Sequence, residues 1–204
     1  MSWSPMFPLG TVLVPGAVLP LQVFEPRYLA LVEHCLSRDG EFGVVLIERG
    51  HEVGGGDVRT DVGTVARIVE ARQLDGRRWA LLARGERRLR VSRWLADEPF
   101  PRAEVQDWPD PPATTQDLAR LPTTVATLRR ALALHAELGR PGPPATVELA
   151  DDPLVAGYQA LALAPISTFD RHRLLGAASQ GERLAGLHEL LEEHCGVFEA
   201  ELGR

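Results

Sequence analysis

The tripeptide Glu-His-Cys occurs twice, at 33–35 and 193–195, and puts an imidazole beside a thiol each time. Such pairs invite a metal. Adjacent residues on a helix point about 100° apart, however, so each copy offers at best one convenient ligand. Cys35 is therefore assigned to the core. The triplet Gly54-Gly55-Gly56 carries neither GxGxxG nor GK[ST], and reads as an ordinary loop instead of a phosphate cradle. None of the six serines lies in a GxSxG elbow. All 22 basic residues are arginine, and the chain contains neither Lys nor Asn. Schiff bases, P-loop lysines and Ser–Lys dyads are thereby excluded. The expectation is a chain with no catalytic residue, no metal and no cofactor.

Two other constellations bear on binding. Arg84, Arg87, Arg88, Arg90 and Arg93 crowd one strand region, with Leu89 and Val91 expected to face inward. Trp79 and Trp94 lie near enough in sequence to suggest a stacking surface for RNA. Against that, residues 1–110 carry 14 Arg and 16 acidic side chains. The ordinary reading is a solvated row paired with carboxylates such as Glu70 and Glu86, each pair worth at most about 1 kcal/mol. The alternative is an anionic-ligand surface formed by Arg84, Arg87, Arg88 and Arg90. Trp94, Phe100 and Trp108 surround a proline-rich stretch. They either seal two halves of the chain together or line an apolar groove of the kind an unfolded polypeptide needs.

The elements that must carry these residues follow from patterning. Phe7–Leu9 and Leu19–Phe24 are short apolar runs broken by Gly10, Pro15, Gly16 and Pro20, as expected of buried strands. Pro26 suits a first helical turn, and Tyr28, Leu31, Val32, Cys35 and Leu36 repeat at helical spacing until Asp39-Gly40. Glu41–Glu48 reads as a buried strand, 51–61 as a loop and Val62–Leu74 as an alternating strand. Asp75-Gly76 is a hairpin signal, with returning strands at Arg78–Ala83 and Arg87–Leu95 and a last one at Ala103–Trp108. This spacing indicates an antiparallel barrel or sandwich. Composition changes at Pro109. Thr114 with Asp117, Ser167 with Asp170 and Ser179 with Glu182 each open a helix by the capping pattern. Helices are expected from Thr114 to Leu138, with Pro122 near its start, then over Pro153–Leu163, Ser167–Ala178 and Ser179–Leu202. The expected division is a β subdomain at 1–110 and a helical bundle at 111–204, an α+β protein.

Bulk properties narrow the partners. A net charge of −6 gives no broad attraction to nucleic acid or to an anionic membrane. No apolar run reaches a spanning length, and the start lacks a basic n-region. Two cysteines cannot frame a disulfide scaffold, so a reduced, cytoplasmic setting is expected.

The opening stretch, Phe7-Pro8-Leu9, Pro15-Gly16, Leu19-Pro20-Leu21 and Phe24-Glu25-Pro26-Arg27-Tyr28, resembles the start of the Lon protease N-terminal substrate-binding domain. Gly63-Thr64-Val65-Ala66-Arg67-Ile68 and Ala83-Arg84-Gly85-Glu86-Arg87-Arg88 resemble later landmarks of that family, and Ser167–Glu193 resembles the end of its helical half. The resemblance implies a mostly antiparallel PUA-like pseudo-barrel with one helix, followed by a helical bundle. It further implies a non-enzymatic module that holds unfolded or tagged polypeptides, with a protease or chaperone as further partner and a role in protein quality control. The expectation is a stand-alone member, because the sequence stops before an ATPase or protease module could follow. Glu25 and Arg27 are expected to pair and Tyr28 to pack inward, so FEPRY is read as structural. The rival is a PUA-like RNA-binding module using the Arg84–Arg93 strand.

Overall fold

The structure, a computed structural model, describes residues 3–49, 58–74 and 78–204. The loop read around Gly54–Gly56 and the turn read at Asp75-Gly76 lie outside the described residues. The chain divides into two compact units, Met1–Pro109 and Asp110–Arg204.

Unit 1 contains strands β1 (Trp3–Leu9), β2 (Val18–Val23), β3 (Glu41–Arg49), β4 (Val58–Leu74), β5 (Arg78–Trp94) and β6 (Arg102–Asp107), with helix α1 (Pro26–Leu36). They form one six-stranded sheet in the order β2-β5-β4-β3-β1-β6, with β6 also paired to β5. The antiparallel barrel or sandwich expected from strand spacing is corrected to a mixed, mostly antiparallel sheet, because β1 runs parallel to β3 while the other pairings are antiparallel. A parallel pair needs a crossover connection. Here β2 and α1 supply it, since they lie between β1 and β3 in the chain.

Two strands expected at Arg78–Ala83 and Arg87–Leu95 are one continuous β5. Gly85 reads as a break but marks a close approach instead. A Cβ there would stand 2.4 Å from the Val14 carbonyl oxygen. The segment before β2 bonds across it, Gly16 N–H to the Gly85 carbonyl at 2.8 Å and Gly85 N–H to the Ala17 carbonyl at 2.9 Å. A strand glycine commonly marks such a site. α1 buries Tyr28, Leu31, Val32 and Cys35 against Phe7, Leu9, Phe42, Val44 and Phe100, while Leu36 stays exposed.

Unit 2 contains α2 (Thr115–Glu137), α3 (Pro153–Leu163), α4 (Thr168–Leu175) and α5 (Gln180–Glu201). Thr114 and Asp117 make the reciprocal capping box, and Ser167 and Ser179 accept from the backbone of Asp170 and Glu182. Pro122 lies inside α2, not at its start. α2 and α5 run in the same direction: Thr124 bonds the Leu184 carbonyl, Arg130 meets Glu199 and Arg140 meets Glu201. Their facing sides bury Leu128, Leu132, Leu184, Leu187 and Leu191. Beside them, Arg183 is fully buried against Asp110 at 2.7 Å, its guanidinium 4.2 Å from the Tyr158 ring centroid. Tyr158 donates to the second Asp110 oxygen.

Candidate functional site

A concave surface with apolar lining in unit 1 lies beside β2. Among the described residues this strand ends the sheet order and pairs with β5 alone. Leu19, Leu21 and Val23 alternate toward the core, whereas Phe24 follows Val23 out of phase and remains 57% exposed. Between β2, the end of β1 and the start of α1 is a cavity of about 310 Å³, lined by Phe7, Leu9, Leu19, Leu21, Phe24 and Tyr28 among others. Its aromatic floor is a stacked pair. The Phe7 and Tyr28 rings stack with centroids 4.0 Å apart and planes within 8°. Arg27 covers Tyr28 with its guanidinium 4.4 Å from the ring, and its Nε donates to Glu25 at 3.2 Å. Glu25 is the N-cap of α1 without a side-chain cap bond, and Pro26 takes the first-turn position that needs no N–H. The FEPRY stretch therefore builds the groove wall, and Phe24 supplies its exposed lip.

The three aromatics singled out from the sequence sit in three different surroundings. Phe100 is only 3% exposed and belongs to the core under α1, 5.3 Å from His34 and 6.4 Å from Trp3. It offers no binding surface, because its ring is spent on core packing. Trp94 is half-buried, with the Arg59 guanidinium 4.8 Å from its ring, and Arg59 is held by both Asp97 oxygens. Trp108 is half-buried and covers Arg88, with the guanidinium carbons of Arg88 and Arg90 4.1 and 4.0 Å from its ring. Its backbone N–H donates to the Arg88 carbonyl.

The arginine row does not form one solvated or anion-ready face. Arg88 is 2% exposed and lies beneath Trp108, so it is withdrawn from any surface. Arg84 pairs with Glu86. Arg87 pairs with Glu41 through two hydrogen bonds and with Asp107 through a third. The Glu41 bond, more than any other contact, raises its affinity for its proton above the ordinary guanidinium range. Arg93 meets Glu104 at 2.5 Å, and that hydrogen bond holds the Glu104 carboxyl below its usual range. Arg90 is exposed over Trp108 and has no ion-pair partner within 4 Å among the described residues. The carboxylates that satisfy the row are Glu41, Glu86, Glu104 and Asp107. With Arg84, Arg87 and Arg93 paired to them and Arg88 buried, the RNA-binding alternative finds no support.

The Glu-His-Cys pairs are equally local. His34 lies tilted against Trp3 with centroids 5.3 Å apart, and Cys35 Sγ donates to the Glu41 carbonyl at 3.4 Å. Burial, with a smaller contribution from Asp39, pushes the Cys35 thiol up to about 12. His194 Nδ1 lies 2.8 Å from the Leu190 carbonyl, and Cys195 is buried. Among the described residues no cluster of three or more His, Cys, Asp or Glu could hold a metal ion. None of their helices is long and apolar enough to cross a membrane.

The sequence reading missed the β2 groove. Its one sequence signal was the phase break at Phe24, which puts a large aromatic opposite the inward-facing Val23. Comparison with known proteins places these features in a family. The Lon protease 2 of Herpetosiphon aurantiacus is 29% identical over 201 residues, covering 97% of this chain and 24% of that protein. The Lon protease 2 of Myxococcus xanthus is 36% identical over 104 residues, 50% of this chain and 12% of that protein. The chain thus spans a quarter or less of the length of these relatives. A crystal structure of a Lon N-terminal domain protein from Xanthomonas campestris superposes with a TM-score of 0.65 at 27% identity, covering 94% of this chain and 98% of that one. The N-terminal domain of the Mycobacterium avium complex Lon protease shares the fold, with a TM-score of 0.69 at 19% identity over 95% and 100% of the two chains. Residues 3–193 match the substrate-binding domain of the ATP-dependent protease La (Lon), and the chain belongs to that family.

Proposed function

We propose that this protein is a non-enzymatic polypeptide-binding module that grips unfolded or tagged polypeptides in the bacterial cytoplasm and serves as an adaptor in protein quality control, beside a protease or chaperone. The observation that carries the reading is the aromatic-floored groove beside β2, with Phe24 exposed at its lip, in a chain of the Lon substrate-binding family. Apolar burial at about 25 cal/mol per Å² makes few demands on sequence, which suits a surface that must accept many unfolded chains. Trp94 and Trp108 provide secondary apolar contacts in the same reading. Phe100 does not.

The test is binding of a reduced, carboxymethylated and hence permanently unfolded model protein to the purified chain, followed by fluorescence anisotropy. Binding at tens of micromolar, about −6 kcal/mol, is expected. No binding to the unfolded protein, or equal binding to its native form, would overturn the proposal.

A further inference from the structure

The outer edge of β2 is main chain, and its hydrogen-bonding groups can be assigned residue by residue. Along an antiparallel strand the N–H and C=O of successive residues point alternately to its two sides. Just before β2, the Ala17 carbonyl accepts from the Gly85 N–H of β5. Alternation from Ala17 therefore aims Leu19, Leu21 and Val23 at their β5 partners Ala83, Leu81 and Trp79. Val18, Pro20 and Gln22 aim the other way. Pro20 has no N–H to give a ladder, and it falls in the outward set, where an edge strand tolerates it. The edge thus presents the carbonyls of all three residues and the N–H groups of Val18 and Gln22. Among the described residues none of these groups has a hydrogen-bond partner, and the three residues are exposed.

The β2 groove follows this edge. Its lining takes in every residue from Leu19 to Glu25, inward-facing and outward-facing alike, and Phe7, Leu9 and Tyr28 complete its apolar side. What answers an unfilled row of main-chain groups is another main chain.

We propose that the β2 groove takes its polypeptide as an added antiparallel strand. N–H groups of alternate ligand residues donate to the Val18, Pro20 and Gln22 carbonyls, and the residues between them lay apolar side chains against Leu19, Leu21 and Phe7. Antiparallel pairing is the more stable per residue, and its main-chain bonds are indifferent to sequence. The proposal rests on the polypeptide-binding reading and adds the class of segment recognised: extended, and apolar at every second position. A second copy of the chain is the poorer occupant. Edge to edge, its own Pro20 would bring another missing donor, and edge prolines guard against such self-pairing.

The test uses the full chain and three acetylated, amidated Thr-Leu-Thr-Leu-Thr-Leu-Thr peptides, one unmodified, one N-methylated at the threonines and one at the leucines, titrated by calorimetry. In the added strand the leucines face the groove and the threonines carry the N–H groups that meet β2. Methylating the threonines is expected to weaken binding by at least about tenfold, and methylating the leucines by less than about threefold. Gln22→Pro removes one edge N–H and leaves the β2–β5 bonds in place; it is expected to bind the unmodified peptide about fivefold more weakly than Gln22→Ala, which keeps that N–H. Equal binding of the three peptides, or equal loss in both methylated ones, would overturn strand addition while leaving the groove reading intact. No binding of the unmodified peptide would also overturn it, and the unfolded-protein assay then decides the groove reading separately. A dimer of the free chain that Gln22→Pro dissociates would give the edge to a second copy and overturn the proposal.

Discussion

Phe24→Ala tests whether the β2 groove is the working surface. A phenylalanine carries roughly 200 Å² of accessible surface, and 57% of Phe24 remains exposed. Roughly 115 Å² is therefore available to a partner, an upper limit of about 3 kcal/mol at about 25 cal/mol per Å². Incomplete coverage and side-chain ordering reduce this to about 1–2 kcal/mol, or roughly 5- to 30-fold in affinity. Because over half of the ring is already in water, truncation should cost the fold less than about 1 kcal/mol. Phe100→Ala is the opposing control. At 3% exposure it sits in the core, so its truncation should cost about 3–5 kcal/mol of stability. The assay is anisotropy with the unfolded model protein beside urea unfolding of each variant. Phe24→Ala binding within twofold of the parent, at unchanged stability, would refute the assignment. Loss of binding in parallel with loss of stability would return Phe24 to a packing role.

Three further outcomes follow from the geometry. Asp110→Ala strips the buried Arg183 of a carboxylate 2.7 Å away and should destabilise unit 2 by about 3–5 kcal/mol, whereas Asp110→Leu with Arg183→Met should restore much of the loss; chemical denaturation of the two variants distinguishes these cases. Gly63→Ala would place a Cβ 2.1 Å from the Val44 carbonyl oxygen, so β3 and β4 must separate locally and a loss of at least about 1–3 kcal/mol is expected in the same assay. The Cys35 thiol, raised from 9.0 to about 12 by burial, stays protonated in the folded chain while the unfolded chain ionises. Its contribution is therefore intact below pH 9.0 and is lost as pH rises toward about 12, with a slope of up to about 1.4 kcal/mol per pH unit; Cys35→Ala should flatten that part of a stability–pH profile.

What the sequence disclosed divides along a physical line. Features set by neighbours in the chain were legible. Thr114 and Asp117 close their box within four residues, Pro26 opens α1, and Glu25 reaches Arg27 two positions away. Features set by distant contacts were not. Gly85 looked like a strand break because its reason, the approach of the Val14 carbonyl, lies 71 residues earlier in the chain. The parallel β1–β3 pair depends on where the crossover lands, which alternation within either strand does not encode. Arg88 falls in a row with Arg84, Arg87 and Arg90, yet Trp108 covers it from a strand end twenty residues away.

The same distinction governs the candidate site. Residue type identified aromatics as the apolar contacts to look for, but availability is a tertiary property. Phe100 is spent on Trp3 and His34, while Phe24, within a stretch read as structural, faces solvent beside the β2 groove. Its exposure follows from strand phase: Leu19, Leu21 and Val23 satisfy the core, so the next residue has nowhere to go but outward. A one-residue slip of β2 would exchange the roles of Val23 and Phe24, burying the lip and turning Leu19, Leu21 and Val23 outward. The binding capacity proposed here therefore depends on register as much as on composition, and the register is pinned by β5, whose Leu81 and Trp79 face Leu21 and Val23.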